Sequence, residues 1–337
     1  MLYVLLFIVV VAIIGGILTY LLKLYGIDAK SEIKKMIFDA SKEVTINADD
    51  EFNEIYDSLR KKYENQEKSI RSLNAIIGKT EIGLVVFVLL CVLIAMFKPV
   101  VLIFSCLGLI LAITLLIYRN KAIEEKQKKL KPEIVSNFVK DINEGFMFDE
   151  NGEISERSYK ISGFDKVFNM FKSSNYLEGY LDDTTKIILS DVDVKYEKNF
   201  DNKKTLENRF QGTFGYVNLE KRFEEKVKVL IKPEETPEEL IDYKSKKFKD
   251  TFDIYANEET FRAIFDKELR SAIMGYIKNF NIKLELILEG SNLYFRFYNN
   301  DLINYKKFGS NEEKESLWKY YCMIQLIYVI VDKINNI

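Results

Sequence analysis

The chain contains no histidine. His-based zinc sites, Ser-His and Cys-His nucleophile pairs and imidazole proton transfer are therefore excluded. Neither sign of charge dominates, with 49 basic residues against 51 acidic ones. That balance removes the concentrated basic surface nucleic acid requires, so no nucleic-acid partner is expected. Cys91, Cys106 and Cys322 form no CxxC motif and no spaced pair. They read as small buried hydrophobes, not as a secreted disulfide framework. No glycine-rich phosphate loop is present; GYVNLE and KISGFDK lack its spacing, and no cofactor is expected. Proline is scarce while Lys, Ile, Asn, Tyr and Phe abound, the texture of AT-rich coding in a bacterium.

What the chain does have is long apolar runs. Residues 82–118 would make a single helix about 55 Å long, against a hydrocarbon core of about 30 Å. Lys98-Pro99 divides the run, since proline disfavours helix at the residue before it and lysine seeks water. The expectation is two spans, residues 82–97 and 100–118, joined by a tight turn. A third uncharged run, residues 2–22, has no basic residues before it, as a cleaved signal would, and several after it. Lys23, Lys30, Lys34 and Lys35 follow the first run. Lys61, Lys62, Lys68, Arg71 and Lys79 precede the pair; Arg119, Lys121, Lys126, Lys128, Lys129 and Lys131 follow it. Positive-inside logic then sets the N-terminus outside and the C-terminal domain in the cytoplasm of a multi-pass bacterial cell-membrane protein.

Residues 23–80 form a cytoplasmic helical segment, divided near VTINADD, with Asn47, Asp49 and Asp50 as N-cap candidates. Phe52, Ile55, Leu59, Tyr63, Ile70, Leu73 and Ile77 recur at helical spacing. That stripe serves either a homo-oligomer through residues 50–77 or a helix packed on its own protein or on a membrane partner.

Residues 131–337 read as a cytoplasmic α+β domain with a largely antiparallel sheet and packed helices. PEIVSNFVKDI and ISERSYKISGF are short helices. TTKIILSDVDVKYE alternates, with a phase shift at Ser190-Asp191 that predicts a bulge. KNFDNKK is a hairpin turn. LENRFQGTFGYVNL and EKVKVLIK are separate strands, and PEETPEEL is an exposed connector. FDIYAN is another strand, and residues 257–280 form one helix with Phe261, Ile264, Phe265, Leu269, Ile273 and Ile277 on one face. IKLELILEG and NLYFRFYNN are two strands joined by a hairpin turn at Gly290-Ser291. The last apolar run, residues 320–331, is too short to span and forms a buried helix across the sheet.

Two groups invite functional readings. Lys195, Lys198, Lys203 and Lys204 make a hairpin tip that could contact lipid or a protein partner. Asp182, Asp183, Asp191 and Asp193 could chelate a divalent metal, although a turn and the wet face of a strand explain them more simply. No residue is assigned a catalytic role or a metal.

FDENGEISERSYKISGF, YLEGYLDDTTKIILSDVDVKYE, RFQGTFGYVNLEKRF with Phe210, Gly212, Phe214 and Phe223, and then ETFRAIF and IKLELILEGSNLYFRF follow the membrane hairpin in order. In this order and texture the chain resembles a bacterial membrane-protein family of unknown function, domain-of-unknown-function family 3137, over roughly residues 80–337. The resemblance implies no catalytic residues; it implies company with LemA-type membrane proteins. Residues 2–22 depart from the family's two-span pattern. Gly212 within a strand marks a bulge or a close backbone approach. These readings converge on a non-enzymatic adaptor held on the lipid bilayer, whose domain binds a protein or lipid partner, with a pleckstrin-homology-like lipid module as a variant. The alternative is a membrane-associated metal-dependent hydrolase using the acids near Asp182 and Asp193.

Overall fold

The computed structural model describes residues 50–95, 101–200, 203–231, 246–299, 303 and 310–337. Residues 2–22, Asn47, Asp49, the Lys98-Pro99 turn and the PEETPEEL connector lie outside them. The chain divides into two units: one holds Ser72–Lys121 with Met1–Asp49, the other Asp50–Arg71 with Ala122–Ile337. Helices α1 (Asp50–Ala95) and α2 (Val101–Ile142) contribute to both. Helix α1 runs without a break from the helical segment expected up to residue 80 into the run expected to span from residue 82. Similarly, α2 carries Pro132 in its interior, so PEIVSNFVKDI is its last part and not a separate helix. Burial of Leu130, Ile134, Val135 and Phe138 around that proline offsets the lost backbone hydrogen bond.

In the first unit, the two helices touch where Gly108 meets Val88 and Phe87. A Cβ at Gly108 would stand 3.0 Å from a Val88 methyl, so the missing side chain lets the two helices approach closely there. Val86, Phe87, Leu90, Leu107, Ile110 and Ile117 are exposed. The segment Cys106–Ile142 is long and apolar enough to cross a membrane, with 18% of its apolar stretch buried.

In the second unit, the start of α1 packs inward. Phe52 and Leu59 are fully buried and Tyr63 nearly so; Phe52 meets Phe138 of α2 edge-on and Trp318 and Tyr321 of the last helix. This half of the apolar stripe is therefore used within the chain. Following α2 come β1 (Met147–Asp149), α3 (Glu156–Ser162), β2 (Met170–Tyr180), β3 (Lys186–Phe200) and β4 (Lys203–Ile231). Then come α4 (Lys246–Thr251), β5 (Phe252–Tyr255), α5 (Glu258–Ile264), α6 (Lys267–Phe280), β6 (Lys283–Tyr298) and α7 (Asn311–Asn335). The six strands form one antiparallel sheet, in order β1-β2-β3-β4-β5 with β6 also on β4.

Local chemistry explains several boundaries. Ser155 caps α3 by accepting from Ser158 N, and Gly163 closes it in the left-handed region. The expected bulge lies at the level of Ser190 but on the facing strand. There β2 inserts one residue between Ser174 and Leu177, and Asn175 adopts φ 55°. The helix expected over residues 257–280 is two helices. Asp266 interrupts it because its carboxylate caps α6, accepting from Leu269 N at 2.9 Å.

The separate strands expected at LENRFQGTFGYVNL and EKVKVLIK are one strand, β4. The hairpin expected at Gly290-Ser291 is also one strand, β6. Its two arms both pair with β4, Leu293 to Phe297 on one side and Leu286 to Leu288 on the other, and Gly290 sits at the register shift with φ 61°. Glycine supplies that positive φ without a side-chain clash, so the chain bends there without reversing. Gly212 has the close approach expected of it: a Cβ would lie 2.0 Å from Phe297 O. Inside the bend, Tyr159, Ile188, Val192, Val194, Phe210, Phe214, Ile287 and Tyr294 form a core. Helices α6 and α7 pack on the other face, where Tyr276 meets Phe297 edge-on.

Candidate functional site

The acidic residues do not converge. Asp182 closes its own turn, with one carboxylate oxygen accepting from Thr184 N at 2.9 Å and Thr185 N at 2.7 Å. Burial pushes its pKa up, but these hydrogen bonds outweigh that and hold the carboxyl below its usual range. On β3, Asp191 accepts from Thr213 Oγ1 at 2.7 Å and from Asn175 Nδ2 at 2.8 Å. Asp193 pairs with Lys195. Among the described residues no group of three or more Cys, Asp or Glu side chains could hold a metal ion.

Asp191 and Asp193 do border a notch of about 290 Å³, with Lys172, Ser174, Gln211 and Asn299. Two buried oxygens there, Asp193 Oδ1 and Asn299 Oδ1, have no hydrogen-bond partner among the described residues. The notch is polar and mixed in charge, with two carboxylates and one lysine among its lining residues.

The hairpin lysines interleave with acids. Beside the Lys195–Asp193 pair, Lys198 lies 3.0 Å from Glu207 and Lys204 lies 3.1 Å from Glu197. Lys203 opposes Phe200 in the β3–β4 register, so the strands pair antiparallel on both sides of the turn expected at KNFDNKK, whose residues 201–202 lie outside the described ones. Lys198 and Lys204 are more than half exposed, and pairs of that kind contribute little stability.

The densest constellation is one that sequence patterning missed. Arg296 of β6 is buried inside the bend. Its Nε donates to Glu285 Oε2, and its Nη1 donates to Asp165 Oδ2 at 2.7 Å and to Tyr159 Oη at 3.1 Å. Tyr298 Oη donates to the same Glu285 oxygen at 3.0 Å, while Glu285 Oε1 accepts from Ile231 N at 2.8 Å. Tyr159 in turn donates to Asp165. The guanidinium also lies over the rings of Phe164, Phe210 and Tyr298, 4.6 to 5.2 Å from their centroids. Burial alone would lower the pKa of Arg296, but Glu285 and the tyrosines reverse that and push it up. Burial pushes Tyr159 and Tyr298 well up; the Arg296 charge pulls the other way, but Asp165 beside Tyr159 and Glu285 beside Tyr298 add to the rise, so both stay protonated donors.

These partners occupy one another. The cluster pins the loop after α3 to both arms of β6 and offers no free nucleophile or base, so its chemistry is architectural. The available signal was the unbroken apolar runs Ile187-Ile188-Leu189 and Leu286-Ile287-Leu288, which mark a sheet covered on both faces. In such a sheet Arg296, alternating with Phe295 and Phe297, must be buried too.

Residues 208–336 match the family described as "Protein of unknown function (DUF3137)". The match spans β4 to α7, both arms of the bent ladder included, and is narrower than the region of resemblance read from sequence texture. No curated protein and no solved structure matches the chain.

Proposed function

We propose that this chain is a multi-pass protein of the bacterial cell membrane, a non-enzymatic adaptor whose α+β domain lies on the cytoplasmic side and binds a protein or lipid partner. The observation that carries the reading is the exposure of Leu107, Ile110, Leu111 and Ile117 on α2, beside Val86, Phe87 and Leu90 on α1. Each such side chain left in water forfeits about 1.5–3 kcal/mol relative to burial, a cost that lipid removes. Spans at residues 2–22, 82–97 and 100–118, with basic flanks at their inner ends, complete the proposal.

The hairpin end with Lys195, Lys198, Lys203 and Lys204 is the first surface to examine for a protein partner. Its lysines alternate with Asp193, Glu197 and Glu207, a mixture better matched to a polar protein surface than to a uniformly anionic one. A LemA-type membrane protein is the partner to try first. Affinity capture from detergent-solubilised membranes, with a tag after Ile337, tests the adaptor reading. A stoichiometric partner lost on charge reversal at Lys198 and Lys204 supports it, and capture of the chain alone contradicts it.

A further inference from the structure

Between α1 and α2 of the second unit runs a groove of about 540 Å³. Lys62, Asn65, Gln66 and Ser69 line it from α1; Lys126, Lys129 and Glu133 line it from α2, and Ile70 and Leu130 complete it. Three ammonium groups thus face one carboxylate. That carboxylate is engaged, since Glu133 Oε1 accepts from Tyr63 Oη at 3.1 Å. Lys62 Nζ donates to Asn137 at 2.6 Å, which fixes its position at one end of the groove. Lys126 and Lys129 are exposed and form no ion pair among the described residues. Their i, i+3 spacing sets them about 5–6 Å apart at Cβ on one side of α2, enough to bracket a single phosphate from two sides.

The hairpin tip supplies the contrast, because each of its paired lysines already has a carboxylate. The groove differs in having two uncommitted ammonium groups, neutral hydrogen-bonding side chains and an apolar component. That combination suits an amphiphile with an anionic head. Lys126 also follows Tyr118, the end of the expected span, by only eight residues, within the distance over which juxtamembrane basic residues act on anionic lipid.

We infer that this groove holds the anionic headgroup of a membrane phospholipid, its phosphate between Lys126 and Lys129. The inference rests on the membrane reading above.

The test uses the full chain in neutral detergent, offered equal phosphatidylglycerol and phosphatidylcholine, with retained lipid measured by native mass spectrometry. Flotation with phosphatidylcholine vesicles runs in parallel. The parent chain should retain phosphatidylglycerol over phosphatidylcholine by about tenfold. Lys126→Glu with Lys129→Glu, which leaves the Lys62–Asn137 bond intact, should bring the ratio near one while flotation persists. Lys198→Gln with Lys204→Gln should leave the ratio unchanged, and millimolar inorganic phosphate should not displace the lipid. A preference that survives the groove variant, one abolished by the hairpin variant, or displacement by free phosphate overturns the assignment. A parent chain that does not float removes the membrane reading beneath it, whereas a floating chain without lipid preference removes the groove alone.

Discussion

Arg296 and Glu285 form an ion pair although they lie eleven residues apart on one strand. On a straight strand that separation would be about 36 Å, far beyond the reach of the two side chains. The pair exists because β6 folds over at Gly290 while both of its arms remain hydrogen-bonded to β4. The ion pair and the bend therefore depend on each other.

Removing the guanidinium should leave Glu285 and Asp165 buried without their shared cation. Arg296→Ala is expected to destabilise the α+β unit by about 3–5 kcal/mol, seen as a lower denaturation midpoint followed by Trp318 fluorescence. Arg296→Met with Glu285→Gln should recover part of that loss, because residues in one network couple. A single variant as stable as the parent would show that the cluster does not hold the bend.

Two glycines should respond in opposite directions. Gly290 has φ 61° with open space around it, so Gly290→Ala tests backbone strain alone. A destabilisation of about 1–2 kcal/mol is expected. Gly275 lies within α6 with nothing near its missing Cβ. Gly275→Ala should stabilise by about 0.5–1 kcal/mol. Thermal melts of the two variants beside the parent check both signs.

The pH response at Asp266 has a defined direction. The hydrogen bond from Leu269 N, then the Lys333 ammonium, hold its carboxyl below the usual range in the folded chain. The unfolded chain therefore takes up the proton first as pH falls. The stabilisation is fully present above the ordinary carboxylate pKa and is lost as pH falls through the folded value, from about pH 4 downward. Melting temperature measured from pH 6 to pH 3 should fall less steeply in Asp266→Asn than in the parent. Equal slopes would mean the cap and the Lys333 pair do not couple to folding.

Gly108 sets the approach of the paired apolar helices. Gly108→Val would drive added methyls into Val88 and Phe87, forcing the helices apart. Thermal melts of the full chain in detergent should place the valine variant about 1–3 kcal/mol below the parent. Equal stability would place the contact elsewhere.

Much of the second unit was legible because its signals are local. Ser155 and Gly163 delimit α3, and the phase of β3 located the bulge level at Ser190. The apolar residues of residues 320–331 announced the buried α7. The misreadings share a cause: a local break signal was overruled by packing or resolved in another way. Pro132 did not end α2 because the surrounding side chains are buried. Gly290 marks a bend in place of a hairpin, because β4 follows both arms through it. The Arg296 cluster was illegible for a different reason. Its members come from two distant stretches, Tyr159 with Asp165 and Glu285 with Arg296 and Tyr298, and meet only through the folded, bent ladder.

The account depends above all on lipid covering the apolar faces of α1 and α2. Alkaline carbonate extraction of cell membranes, followed by flotation of the extracted fraction, measures that directly. The full chain should remain with the bilayer through extraction and rise with it through the gradient. Recovery in the aqueous supernatant without detergent would contradict the account.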